Sequence, residues 1–149
     1  MTRRSSPEIA NMIVEIRKLQ LQRAVRDSAR ARAACDLAIE HFNGAVAARD
    51  AHVDAWRQAA DEGGLSIPVL DNFAHAFSGI ASELATAREA MHRQERSFEA
   101  SKHALVRFDR LAARARDDAT RAHRRHRQML EERRMSERET QPAPSTEDR

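Results

Sequence analysis

Tyrosine is absent from this 149-residue chain, aromatic residues make up only 4% of it, and there are four glycines, four prolines and one cysteine. Each shortage excludes something. So little bulky apolar matter cannot fill a thick globular core. One cysteine rules out a disulfide framework and paired-cysteine metal or redox motifs. No Gly-rich phosphate loop or GxSxG elbow occurs, and strand-favouring residues never alternate long enough to suggest a sheet. No apolar run approaches the 18 or so residues of a membrane span. Thr2-Arg3-Arg4 is followed by polar residues rather than an export signal's apolar core, which sets a cytosolic expectation.

What the chain has in quantity is alanine, arginine and glutamate, all good helix formers. Charged residues reach 33%, with 26 basic against 23 acidic side chains and a net charge of +3. The two signs are interspersed, as on a solvated coiled-coil surface, rather than gathered into one basic block. An all-α protein follows.

The strongest pattern begins at Leu70. Leu70, Phe77, Leu84, Met91, Phe98, Leu105, Ala112 and Ala119 repeat every seven residues, and Phe73, Ile80, Ala87, Phe108, Ala115, Ala122 and Met129 hold a second position, with Gln94 and Ser101 as interruptions. This heptad specifies a very long coiled-coil helix. No proline falls between Pro68 and Pro142 to stop it. Ahead of it, Ser6-Pro7-Glu8 supplies the serine cap, first-turn proline and early acid of a helix start. The stripe of that helix begins with Ile9, Met12, Ile13, Ile16 and Leu19 and loosens between Arg23 and Ala34, implying a phase shift or weak pairing. It resumes at Cys35, Ile39, Phe42, Val46, Val53, Trp56 and Ala60, with Arg49 its polar member. Cys35 on this stripe reads as a small buried hydrophobe.

Gly63-Gly64 ends the first helix, and Ser66 with Pro68 opens the next. The expected architecture is an antiparallel two-helix coiled-coil hairpin with unequal long helices: helix one over about 7–62, a turn at 63–66, helix two over about 67–139, and a disordered proline-bearing tail at 140–149. Phe73, Phe77 and Trp56, near the turn, should form the best-packed layers, while the far seam thins to alanine. Pairing from the turn sets Pro7 opposite about residue 121, so about four or five turns of helix two should run on unpaired.

That overhang carries Arg121, Arg124, Arg125, Arg127, Arg133 and Arg134 with Met129 and Leu130. Three readings stand side by side: a solvated helix end complementing the helix dipole, a phosphate contact to nucleic acid, or a contact with an acidic protein surface. The exposed apolar pair on a lone helix favours the third. His123 and His126 share a face, but lack a third ligand and sit among arginines that repel a cation, so no metal is expected. A two-helix hairpin also offers no enclosed site where acid and base converge, so neither catalysis, cofactor nor small-molecule substrate is expected.

The layout resembles the FliJ/YscO family, the central stalk proteins of flagellar and virulence type III secretion systems. The likeness is architectural and covers nearly the whole chain. It lies in the apolar helix start Ile9 to Leu19, the break Glu62-Gly-Gly-Leu-Ser-Ile-Pro68, the stretch Leu65 to Ala90 with Phe73, Phe77, Ile80 and Leu84, and the charged run Arg107 to Glu139. Lys18 and Lys102 are the only lysines, a departure from several members. The resemblance implies a non-catalytic, cytoplasmic stalk at the inner-membrane face of a secretion apparatus. Such a stalk inserts its chain ends into the pore of a hexameric export ATPase and promotes that hexamer. It also implies contact with the export gate and, in some members, with secretion chaperones. Arg3 and Arg4 would join Arg121, Arg124, Arg125, Arg127, Met129, Leu130, Arg133 and Arg134 at the ATPase. The alternatives are a basic coiled coil that binds nucleic acid and a generic scaffold.

Overall fold

The computed structural model describes residues 6–139, in which helix α1 spans Pro7–Asp61 (55 residues) and helix α2 spans Ile67–Glu139 (73 residues). The fold is all-α, with no strand among the described residues. Arg3, Arg4 and the 140–149 tail lie outside them.

The helix ends follow their sequence signals. Ser6 caps α1, accepting the Ile9 N–H at Oγ (3.4 Å) and the Ala10 N–H at its carbonyl (3.1 Å). At the other end Gly63 adopts φ 70°, a left-handed conformation in which a side chain would be strained. The Gly64 N–H then reaches back to the Ala59 carbonyl (3.1 Å) and the Gly63 N–H to that of Ala60 (3.2 Å). This double closure, a Schellman cap, satisfies carbonyls the helix would otherwise leave unpaired. The Leu70 N–H bonds the Ser66 carbonyl at 3.0 Å, so α2 begins immediately after the turn.

The described residues divide into two compact units, one made from α1 up to Arg23 with α2 from Val106 onward, and the other from Ala24–Leu105. In Ala24–Leu105, His52 lies against Phe73 and Phe42 against Arg88, so α1 and α2 run antiparallel. Ala24, Ala31, Cys35, Ala38, Phe42, Ala45, Arg49 and His52 turn inward from α1, and Phe73, Ile80, Leu84, Ala87, Met91, Phe98 and Leu105 from α2. Gln94 and Ser101 keep the α2 frame, both half-buried, and the Ser101 hydroxyl donates to the Phe98 carbonyl at 2.7 Å. No phase shift separates Ala24 from Cys35; the frame continues there in small side chains.

The layers nearest the turn are not the best packed. Trp56 is 46% exposed and Phe77 45%, whereas Ala87 is 1% exposed and Leu84 9%. Bulky rings on facing helices hold the backbones apart, but alanine lets them close, and the distance between helix axes follows the contact side chains. The space left over is a recess of about 570 Å³ bordered by His52, Trp56, Phe73 and Phe77.

In the other unit the core is alanine: Ala10 of α1 packs with Ala119 and Ala122 of α2, with Val14 against them. The inward line of α1 is therefore Ala10, Val14, Arg17 and Leu21. The expected stripe is corrected here. Ile9, Met12, Ile13, Ile16 and Leu19 face outward, each 42–65% exposed. Ala112, Ala115, Ala119 and Ala122 draw α2 close, and an Ile or Met between the helices would force them apart.

Candidate functional site

The pairing of α1 with α2 extends further than the turn alone suggests. Ala122 is 5% exposed beneath Ala10, and His123 Nε2 lies 3.0 Å from Asn11 Oδ1. Ser6, Pro7 and Glu8 share an open groove of about 860 Å³ with Ala122, His126, Met129 and Glu132. Arg121 is thus not the start of a lone helix. Ala10 packs on Ala119 and Ala122, which sets Pro7 opposite about residue 124, so about four turns of α2 run past the start of α1, in keeping with the overhang expected.

Within this end, Arg121 Nη2 donates to Asp118 Oδ1 at 2.8 Å, which offsets part of its charge, and Arg125 Nε donates to the Arg121 carbonyl at 3.4 Å. Arg124, Arg127, Arg133 and Arg134 are exposed. So are Met129 and Leu130, each 40%, and Met135 at 61%. Of the expected contact residues, Arg125 and Met129 border the groove beside the start of α1, while Arg121, Arg124, Arg127, Leu130, Arg133 and Arg134 lie exposed along the same end of α2. An arginine-rich helix with three accessible apolar side chains can meet an acidic surface with charge at the rim and apolar contact at its centre.

His123 and His126 both border this groove, His123 Nε2 lies 3.0 Å from Asn11 Oδ1, and no group of three or more metal-ligating side chains occurs among the described residues. No described helix is long and apolar enough to cross a membrane. Two surfaces escaped the sequence reasoning. One is the outward face of Ile9 to Leu19, whose signal was mistaken for core. The other is the recess at Trp56 and Phe77, signalled only by aromatics crowded beside a turn.

Comparison with protein-family models, with curated proteins and with solved structures finds no match for this chain.

Proposed function

We propose that this chain is a non-catalytic stalk or adaptor of a type III secretion system that binds the export ATPase and promotes its hexamer. The reading is carried by the juxtaposition of both helix ends: the start of α1 lies against an α2 end rich in exposed arginine and bearing Met129 and Leu130. A ring whose pore is lined by carboxylates attracts such an end over several ångströms by charge, and the apolar pair grips at contact. The export gate and secretion chaperones are further partners under this reading, and the chain works in the cytoplasm at the inner-membrane face of the apparatus.

The test is stimulation of a purified type III export ATPase by this chain. Arg124→Glu/Arg125→Glu/Arg127→Glu should abolish stimulation while helical content stays, because these side chains are exposed and glutamate is a good helix former. Undiminished stimulation by the triple variant overturns the assignment of this end. A salt-steep affinity for DNA that the triple variant loses would point instead to phosphate binding.

A further inference from the structure

The outward face of α1 has a seam pattern of its own. Ile9 and Ile16 stand seven residues apart, Met12 and Leu19 lie three residues after each, and all four are 51–65% exposed. Ala10 and Val14, which meet α2, are on another side of the helix. Such a line of large apolar side chains is unusual on a helix whose opposite needs are already met, since isolated chains rarely leave contiguous apolar patches of several hundred Å² open.

We infer that this face pairs with the same face of a second copy of the chain, as a short parallel two-stranded coiled coil. Three observations select this occupant. β-Branched isoleucine at the first seam position, with γ-branched leucine and unbranched methionine at the other, is the combination that favours two parallel strands. Parallel alignment sets Glu15 beside Gln20 of the second copy and Glu8 beside Ile13, with no like charges opposed; antiparallel alignment brings the two Glu15 side chains together. The area is also right for a reversible dimer. Half-exposed side chains at Ile9, Met12, Ile13, Ile16 and Leu19 offer roughly 500 Å² per chain, or about 1,000 Å² for a pair, the low end of specific interfaces.

The seam ends after Leu19. Arg23 and Arg26 occupy the next two seam positions, and two copies would set arginine against arginine. Two heptads are too short to hold together free peptides, but α1 is already helical through its packing on α2, so pairing carries no cost of folding. The expected association is micromolar and concentration-dependent.

Sedimentation of the full chain tests this. The mass should rise from 16.9 kDa toward twice that value as concentration passes through the micromolar range. Ile9→Glu/Ile16→Glu should hold the chain as a monomer with unchanged helical content. Met12→Cys in a Cys35→Ala background should form a disulfide-linked dimer under mild oxidation, because parallel pairing sets the two residue-12 positions face to face. Val25→Cys, exposed but off the seam, should not. A chain that stays monomeric at roughly 100 µM overturns the inference, as does a dimer that survives the double glutamate variant. So does a dimer in which Met12→Cys fails to cross-link.

Discussion

His123 Nε2 and Asn11 Oδ1 meet at 3.0 Å although 112 residues separate them in the chain. This contact and the packing of Ala10 on Ala119 and Ala122 fix the local register of α1 against α2. Spin labels at Asn11 and His123 should report a separation on the order of 10–20 Å, since neighbouring helix axes run about 8–10 Å apart. Labels many tens of ångströms apart would mean that α1 pairs with another chain's α2. A double-mutant cycle of Asn11→Ala and His123→Ala should give a coupling below about 1 kcal/mol, because the bond is exposed to water.

The alanine seam reverses the usual ranking of sensitive positions. Ala122→Leu adds a branched side chain where α2 meets Ala10, so it should destabilise by about 1–3 kcal/mol through overpacking. Phe77→Ala removes a ring that is 45% exposed and stacked loosely on His52 at 6.2 Å between centroids, so its cost should be about 1–2 kcal/mol rather than the 3–5 of a fully buried phenylalanine. Denaturant unfolding of the two variants gives the order directly. A larger loss at Phe77 than at Ala122 would show that the aromatic recess closes in solution.

That ranking also explains which parts of the fold were legible in the sequence. The α2 frame stood out because Leu84, Met91, Phe98, Leu105 and Phe108 are large and evenly spaced, and the breaks were marked by Ser6-Pro7, Gly63-Gly64 and Ser66. The α1 frame was hidden for the opposite reason. Val14 and Leu21 apart, its members between Ala10 and Ala31 are small or polar, and the more numerous bulky residues Ile9, Met12, Ile13, Ile16 and Leu19 drew the eye to the wrong side of the helix. The deciding information sits about 110 residues away, in the alanines of α2 that require small partners. The arginine-rich end was legible as charge, and counting from the turn set its register against α1 to within about one helical turn.

Glycine offers a cleaner probe of the two helices. Gly44 and Gly79 lie in the interiors of α1 and α2, and a Cβ added at either meets nothing within 4 Å. Gly44→Ala and Gly79→Ala should therefore each stabilise the fold by about 0.5–1 kcal/mol, by removing backbone freedom from the unfolded chain. Gly63→Ala should do the reverse, since its φ of 70° strains any side chain. Thermal melts monitored by circular dichroism would rank the three. Destabilisation by Gly44→Ala would indicate that its face is covered by another molecule.

The arginine end separates stability from binding most sharply. Arg124 and Arg127 are exposed, and Arg125 is held only by a 3.4 Å contact to the Arg121 carbonyl, so none supports the Ala10–Ala122 packing beneath them. Their joint replacement by glutamate should change unfolding free energy by less than about 0.5 kcal/mol. The reversal of three formal charges at one helix end, a net change of six charge units, should nonetheless abolish association with an acidic partner, and wild-type association should weaken steeply as salt rises through the physiological range. Salt titration of binding, read beside the melting curve of the same variant, distinguishes the outcomes. Salt-independent binding by the wild-type chain would assign the grip to Met129, Leu130 and Met135 alone, and the corresponding serine variants should then lose binding where the glutamate variant does not.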